Sequence, residues 1–277
     1  MTTIPTLTMN DGLTIPQLGF GVFQIPQDDT ETAVTSALES GYRLIDTAQG
    51  YRNEEGVGAA IAASDVPRDE MFITTKLTNS EQGYDKTLRA FDESMRKLGI
   101  DVLDLFLVHW PLPMFDQYVE TWRAFEKLQA DGRIRSIGVS NFEVEHFERL
   151  FAETSVVPAV NQIELHPQFP QAELRAFHAE HGILTESWGP IGQGKGLLEH
   201  PAIVEVAQDK ERTPAQVVLR WHLQLGCVVI PKSVNPDRIR ENIALFDFEL
   251  GDSDLKTIAQ VDTGVRLGPD PKTFSMR

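Results

Sequence analysis

The most informative absences in this 277-residue chain are those of cysteine and of long apolar runs. Cys227 is the only cysteine, so no intramolecular disulfide can form, and a reducing compartment is expected. It lies in the apolar run GCVVIP, which predicts a small buried side chain rather than a nucleophile. No apolar stretch approaches the ~20 residues of a membrane-spanning helix, and no signal peptide is visible at the N-terminus. A cytoplasmic location is therefore predicted.

Basic residues are also scarce. The 25 lysines and arginines face 41 acidic residues, which gives a formal net charge of −16 and a pI near 4.8. Nucleic acids and anionic membranes attract basic surfaces, so neither is expected as a partner. An anionic ligand would have to bind at a local basic cluster.

What the chain does have is a regular alternation of short apolar runs and amphipathic stretches. The segment YDKTLRAFDESMRKLG, for example, spaces Leu88, Phe91, Met95 and Leu98 by three and four residues and ends at Gly99. The apolar runs recur roughly every 30 residues, the length of a βα unit. We count eight: 18–23, 43–46, 71–76, 102–110, 135–141, 159–164, 183–190 and 227–233.

Eight strands alternating with helices in one chain predict a (β/α)8 TIM barrel. No linker or shift in composition divides the sequence, so we expect a single domain over residues 1–277. The turn signal at residues 10–12, Asn-Asp-Gly, predicts an N-terminal β-hairpin before the barrel. A doubly wound open sheet is the alternative that this alternation leaves.

Most of the predicted strands end in polar side chains. Barrel enzymes place their chemistry at the C-terminal ends of their strands, so these side chains are candidate site residues as a group. Each one taken alone could simply meet water at the end of a strand. The residues are Asp46, Lys76, His109, Ser140, Asn141, Asn161, Gln162, Ser187, Trp188, Lys232 and Ser233.

Two local patterns favour structural rather than functional interpretations. The segment GVGAAI places Ile61 where a dinucleotide-binding motif requires glycine or alanine, so we interpret it as a helix capped by Asn53, with glycines that allow close packing. In FHAEH, His178 and His181 lack further metal ligands and are expected on a solvated helix face. No metal site is predicted.

Seven segments together resemble the aldo-keto reductases, and particularly the bacterial 2,5-diketo-gluconic acid reductases. The similarity extends from about Leu7 to Asp262. The segments are GYRLIDTAQGYRNEEGVG, FITTKL, DLFLVHWP, RSIGVSNF, NQIELHP, ESWGPIGQG and VVIPKSVNPDRIRENI. The resemblance implies a (β/α)8 barrel that binds NADPH without a Rossmann motif, and a catalytic tetrad at Asp46, Tyr51, Lys76 and His109.

Elementary chemistry supports these roles. Carbonyl reduction needs a hydride on carbon and a proton on oxygen, and Tyr51 is a weak acid with a free pKa of ~10. An ammonium ~4 Å away is worth about 4 kcal/mol, which could lower that pKa by up to about three units. We therefore expect Asp46 to keep Lys76 charged, Lys76 to lower the pKa of Tyr51, and His109 to orient the carbonyl.

The resemblance also assigns the cofactor contacts. Ser140, Asn141 and Gln162 would bind the carboxamide, and Trp188 would stack on the nicotinamide. The pyrophosphate would meet the glycine-rich loop, and the adenosine 2′-phosphate and adenine would meet the basic segment near residue 232. The predicted contacts in these two segments are Ser187, Gly189, Ile191, Gly192, Gln193, Gly194, Lys232, Ser233, Val234, Arg238, Glu241 and Asn242.

The sequence departs from the family pattern at two positions. Thr78 stands where the family often has an aromatic residue, which leaves a substrate pocket walled by Phe23, Thr78 and Trp110 less aromatic on one side. Asn235 stands where a diketo-gluconate reductase often has arginine, which weakens the expected hold on the phosphate. Substrate identity is left open by these changes.

The sequence therefore predicts a monomeric, metal-independent, NADPH-dependent reductase of small aldehydes, ketones or keto-sugar acids. Two alternatives remain open. A Schiff-base lyase would use a neutral Lys76 as its nucleophile. A regulatory sensor would bind NADPH with little turnover.

Overall fold

Eight parallel strands form a nearly closed barrel in the computed structural model, which describes residues 4–276. The eight predicted strands and the predicted fold class are confirmed. Two hairpin strands, β1 (Thr6–Thr8) and β2 (Thr14–Pro16), come first in the chain. The barrel strands that follow are β3 (Gly19–Gly21), β4 (Leu44–Asp46), β5 (Phe72–Leu77), β6 (Leu103–Val108), β7 (Ile134–Ser140), β8 (Val160–Glu164), β9 (Leu184–Trp188) and β10 (Val228–Val229).

Each strand pairs with its sequence neighbour, as expected for repeated right-handed βα units. The gap between the first and last barrel strands, β3 and β10, is narrowed by a parallel bridge between Leu18 and Val229. A 3.1 Å hydrogen bond from the Gly21 amide to Pro231 O also spans it. Since all strands run the same way, their C-terminal ends open at one mouth. The residues at that mouth come from distant parts of the sequence.

The predicted hairpin closes the opposite end of the barrel. Strands β1 (Thr6–Thr8) and β2 (Thr14–Pro16) pair antiparallel around Gly12, whose φ of +85° suits a tight turn. Asn10 Nδ2 donates to Pro158 O at 3.0 Å, and Ser136 Oγ donates to Asp11 at 2.6 Å, both at the beginnings of barrel strands. The hairpin therefore seals the end away from the mouth.

Ten α-helices surround the strands within residues 4–276, and their boundaries follow local signals. Helix α1 ends at Gly41, which adopts a left-handed φ of +106°, as a glycine C-cap predicts. The helices are α1 (Gln27–Ser40), α2 (Glu54–Ala63), α3 (Tyr84–Leu98), α4 (Tyr118–Ala130), α5 (Val144–Glu153), α6 (Ala172–Glu180), α7 (Pro201–Asp209), α8 (Pro214–Gln224), α9 (Pro236–Ile243) and α10 (Asp252–Ala259). None of the helices in this described range combines the length and apolar character that a membrane span requires.

The GVG segment lies inside α2, where its glycines serve helix packing as predicted. A Cβ on Gly58 would lie 2.4 Å from Lys97 O, and one on Gly56 would lie 2.8 Å from Thr30 Cβ. Asn53 precedes α2 but makes no side-chain cap, so that prediction was wrong. Its side chain instead ties together the loops after β3 and β4, because it accepts from Thr47 Oγ1 and donates to two backbone carbonyls.

Candidate active site

The ends of β4 and β5 bring an aspartate and a lysine into direct contact inside the mouth. Lys76 Nζ lies 2.7 Å from both carboxylate oxygens of Asp46 and donates to Thr47 O at 2.9 Å. Within residues 4–276 its remaining hydrogen-bond partner is the Tyr51 hydroxyl at 3.4 Å, which a short 3₁₀ turn after β4 presents. The Lys76 side chain is fully buried, so this ion pair is shielded from solvent.

The pKa of Lys76 changes as expected in this site, whereas the pKa of Tyr51 does not. Desolvation lowers the pKa of Lys76, but Asp46 and Tyr51 reverse that effect, and the net pKa is raised, so the lysine stays charged. For Tyr51, burial raises the pKa more than the Lys76 ammonium lowers it. The ammonium therefore acts in the expected direction, but the expected net fall in the pKa of Tyr51 was wrong, because the depth of its burial depends on residues far away in the chain.

His109 follows β6 and faces the same space. Its ring lies edge-on to that of Tyr51, with ring centres 5.7 Å apart. Burial, aided by the Lys76 charge, lowers the pKa of His109 to about 3. The imidazole is therefore neutral near pH 7 and carries one N–H that can donate to a ligand oxygen.

A second hydrogen-bonded group lies beside these residues. Trp188 Nε1 donates to Asn141 Oδ1 at 2.8 Å, and Asn141 Nδ2 donates to Ser140 Oγ and to His109 O, each at 3.0 Å. Ser140 Oγ donates to Gln162 O at 2.9 Å. Asn141 holds a φ of +62°, a conformation that asparagine tolerates better than most residues. The network fixes the Trp188 ring at the mouth.

These two groups line one cavity of about 1450 Å³. Lys76 lies beneath its floor, where it is fully buried. Of the residues predicted from sequence, the cavity lining contains Phe23, Asp46, Tyr51, Thr78, His109, Trp110, Ser140, Asn141, Gln162, Trp188, Gly189, Ile191, Gln193, Gly194 and Lys232.

Ser187 and Gly192, by contrast, do not line the cavity. Alternation along β9 turns Ser187 outward, where its Oγ lies 3.0 Å from Nδ1 of the buried His222. Gly192 packs against Leu197 so closely that a Cβ would lie 2.7 Å from it. The loop has backbone φ values above +50° at Gly189, Gly192, Gln193 and Gly194. Such a loop turns several amides toward one point.

Lys232 is the predicted residue of the basic segment after β10 that lines the cavity, whereas the other predicted contacts there do not: Ser233, Val234, Arg238, Glu241 and Asn242. Lys232 and Arg238 extend into solvent, whereas Ser233 is buried and accepts from the Asn235 amide at 3.1 Å. Asn235, the departure from the family pattern, caps α9 by accepting from the amides of Asp237 and Arg238. Of the other predicted contacts, Val234 is exposed, Glu241 accepts from Thr213 Oγ1 and Asn242 is buried.

The C-terminal segment, residues 264–276, contributes residues to the cavity lining that the sequence did not identify. Phe274 packs on Trp110 with ring centres 4.4 Å apart, and Met276 also lines the cavity. The segment is held by Glu164, whose carboxylate accepts from the amides of Leu267 and Gly268. No periodicity marks these residues, because the segment has no regular secondary structure there.

The two histidines of FHAEH do not share a solvated face. His178 is fully buried and lies 2.9 Å from both Asn161 Nδ2 and Thr185 Oγ1, so that expectation was wrong for this residue. Burial lowers the pKa of His178 to about 3. In residues 4–276 no group of three or more His, Cys, Asp or Glu side chains is arranged to hold a metal ion.

Comparison with known proteins adds independent evidence. A model described as the aldo/keto reductase family matches residues 17–263. An aldo-keto reductase of Mycolicibacterium smegmatis is 59% identical over 98% of both chains. Methylglyoxal reductase DkgA of Escherichia coli is 50% identical over 97% of both chains. A crystal structure of a Gox0644 variant in complex with NADPH superposes with a TM-score of 0.95 at 51% identity, covering 99% of this chain and 100% of that one.

Proposed function

Because the chain belongs to the aldo/keto reductase family, we propose that it reduces small aldehydes, ketones or keto-sugar acids to alcohols. It is an NADPH-dependent oxidoreductase, as the reductase relatives and the NADPH-bound neighbour support. Methylglyoxal is the first substrate to test, since a relative that is 50% identical over nearly its whole length is named for reducing it. The observation that carries the proposal is the buried Asp46–Lys76 pair in contact with the Tyr51 hydroxyl.

The residues present fit NADPH. The Trp188 ring is held at the cavity wall by Asn141, residues of the glycine-rich loop at 189–194 line the cavity, and Lys232 provides a positive charge at its edge. Positively charged side chains and oriented amides are what a pyrophosphate and a 2′-phosphate require. When bound, this cofactor supplies the hydride.

The proton comes from Tyr51. Its raised pKa keeps the phenol protonated at neutral pH, so the group that must donate is in its acid form. As the carbonyl oxygen gains negative charge it becomes more basic than a phenolate and takes the proton. The charge then left on Tyr51 lies 3.4 Å from the Lys76 ammonium. Lys76 therefore stabilises a charge that develops only as the reaction proceeds, which is where stabilisation accelerates a reaction.

Neutral His109 complements this acid. An imidazole whose pKa is near 3 cannot compete with Tyr51 to deliver the proton at neutral pH, but its N–H can donate to the same carbonyl oxygen. Both residues line the same cavity, and their rings lie edge-on to each other. Together, Tyr51 and His109 orient the carbonyl oxygen that receives the proton.

The alternative roles receive less support. A Schiff-base lyase needs a neutral lysine, whereas Asp46 keeps the pKa of Lys76 raised. A sensor without turnover would have no use for a buried ion pair aimed at a tyrosine. Monomeric state and cytoplasmic location stay predictions, which size-exclusion chromatography and cell fractionation would check.

The test is loss of NADPH absorbance with methylglyoxal, an aromatic aldehyde and 2,5-diketo-gluconate. Tyr51→Phe should lower kcat by about 10²- to 10⁴-fold, the usual contribution of a general acid, while NADPH affinity is retained. Tyr42→Phe is the matched control, because Tyr42 is a buried tyrosine whose hydroxyl donates to Ile239 O away from the cavity. Binding of NADPH without turnover of any carbonyl would favour the sensor. Equal rates for Tyr51→Phe and the wild type would refute the role of Tyr51.

A further inference from the structure

Glu186 is a buried carboxyl that the chemistry above does not use. It lies on β9 in register with Gln162 of β8, and its exposed fraction is 0%. Alternation along β9 places it on the same face of the strand as Trp188, inside the barrel and below the cavity. Nothing in the composition or spacing of the sequence singled it out.

Glu186 and Asp46 share one amide group. Gln162 Nε2 donates to Asp46 Oδ1 at 2.9 Å and to Glu186 Oε2 at 3.0 Å. Both N–H bonds of that amide are thereby used. The reverse orientation would place the amide oxygen against the Asp46 carboxylate, which has no hydrogen to donate. The side-chain carbonyl oxygen of Gln162 therefore remains as the free polar atom of a residue that lines the cavity, and it accepts no hydrogen bond from the described residues.

The two carboxyls differ in their charge partners. Asp46 has the Lys76 ammonium, whereas Glu186 has only the Gln162 amide, and its Oε1 contacts no partner in the described part of the chain. An isolated buried carboxylate is strongly disfavoured. Burial and the Asp46 charge raise the pKa of Glu186 to about 8, against opposing effects of Gln162 and Lys76. The ionisable groups that face it are thus Asp46, Lys76 and Tyr51.

We propose that Glu186 is a positioning residue: it holds the Gln162 amide so that the side-chain carbonyl oxygen of Gln162 receives an N–H of the nicotinamide carboxamide, and it does so as a neutral acid. This inference rests on the proposed function, since it assumes that the nicotinamide lies beside Gln162. It adds that the protonation of Glu186 is coupled to the oxidation state of the cofactor. The reduced ring is uncharged and the oxidised ring is a cation, so an ionised Glu186 favours the oxidised form.

The sign of this coupling follows from linkage. Below about pH 8 Glu186 is protonated and does not distinguish the two forms by charge. As the pH rises through that value Glu186 ionises and attracts the cation, so NADP⁺ should gain affinity relative to NADPH. For unit charges in a partly desolvated interior, a gain of about tenfold is expected. Because the phosphates are common to both cofactors, their titration cancels from the ratio of the two Kd values.

The experiment is fluorescence titration of the full-length protein with NADPH and, separately, with NADP⁺ between about pH 7 and about pH 9.5. The ratio of Kd for NADPH to Kd for NADP⁺ should rise about tenfold in the wild type. It should stay constant in Glu186→Gln, whose amide mimics the neutral acid. Glu54→Gln is the matched control, because Glu54 is also a buried carboxyl with a raised pKa but bonds Thr75 and Ser94 instead. The control should retain the wild-type rise.

A second comparison tests positioning apart from charge. Glu186→Leu removes the acceptor and frees the Gln162 amide to rotate, so both cofactors should bind about tenfold more weakly, the loss expected for one hydrogen-bonded orientation. Glu186→Gln should restore wild-type affinity at pH 7. If either variant fails to fold, infrared spectra of Glu54→Gln, which lacks the other buried carboxyl with a raised pKa, still decide the charge state of Glu186. A protonated-carboxyl band that shifts in D2O and disappears as the pH rises through about 8 is expected.

The outcomes separate this inference from the proposed function. Tight NADPH binding with a ratio that is flat in the wild type, or that rises equally in Glu186→Gln, overturns the inference and leaves the reductase proposal intact. Absence of the protonated-carboxyl band near pH 7 overturns it as well. Failure of the wild type to bind either cofactor would overturn the proposed function itself.

Discussion

Replacing Asp46 by asparagine tests the central feature of the site, the buried ion pair. In the wild type Lys76 is fully buried and is held by two 2.7 Å contacts to Asp46. The Asp46→Asn substitution would leave the ammonium with Thr47 O and the Tyr51 hydroxyl as its remaining wild-type partners. Desolvation, no longer opposed by the Asp46 charge, would then lower the pKa of Lys76.

The expected magnitude follows from this geometry. Unit charges 2.7 Å apart attract by about 6 kcal/mol at an effective dielectric near 20. The desolvation of both ions offsets part of this attraction, and removal of one member of a buried pair typically costs about 3–5 kcal/mol. At about 2–4 °C of Tm per kcal/mol in a chain of this size, Asp46→Asn should melt about 10 °C lower. Turnover should fall by about 10²- to 10³-fold, since a neutral lysine no longer stabilises the Tyr51 phenolate.

The assay pairs thermal unfolding with steady-state kinetics, and Asp104→Asn is its control. Asp104 is equally buried and binds Arg68 and Arg135 at 2.6 and 3.1 Å, but it lies near the beginning of β6, away from the mouth. Both variants should lose stability, and only Asp46→Asn should lose turnover when assayed below its Tm. The pH dependence adds a further check.

Linkage fixes the sign of that dependence. The raised pKa of Lys76 contributes stability to the wild type that is present below the unfolded lysine value of ~10.4 and is lost as the pH rises through the folded value. A lowered pKa in Asp46→Asn makes its stability increase with pH instead. The gap in Tm should therefore narrow toward pH ~10. A variant with wild-type Tm and turnover within about threefold of the wild type would refute this account of the pair.

Three further outcomes are expected. Gly268→Ala should loosen the C-terminal segment, because a Cβ at this position would lie 2.6 Å from the Trp188 ring. The expected result is a higher KM with little change in Tm, together with faster proteolysis of the segment. Acid should destabilise the fold below about pH 6.5, since burial lowers the pKa of both His178 and His222 to about 3. Each histidine should lower the free energy of unfolding by about 1.4 kcal/mol per pH unit. His178→Asn should flatten that slope in urea titrations, and an unchanged slope would exclude His178 as a cause. Arg238→Met should weaken the binding of NADPH about tenfold and leave the binding of NADH unchanged, because it removes a charged contact to the 2′-phosphate that only NADPH has. Equal weakening of both cofactors in binding titrations would contradict this.

Much of the fold could be read from the sequence, because barrel strands and their helices carry local signals. The run that ends at Asp46 became β4, and MFITTK became most of β5, so Asp46 and Lys76 lie at the C-terminal ends of their strands as predicted. Gly41 and Gly99 ended their helices in left-handed conformations. Each of these signals depends on residues that are neighbours in the chain.

The sequence was least informative where a side chain had two possible directions. Ser187 lies near the end of β9, where alternation turns its hydroxyl to His222 on the outer face of the barrel, and its contact with the cofactor stays a prediction. Asn53 stands at a helix start and was predicted to cap it, yet its side chain bonds Thr47 and two loop carbonyls. In both cases the competing partner is distant in sequence or lies in another element.

By itself, then, the sequence determined the order of strands and helices, the hairpin, and which polar residues end the strands, because these follow from periodicity and local turn chemistry. The tertiary structure decided how deeply each group is buried and which groups meet. Burial reversed the expected change in the pKa of Tyr51, and the register of β8 against β9 joined Asp46 and Glu186 through Gln162. Desolvation and cross-strand contact depend on all the neighbours in space, and no local segment of the chain contains them.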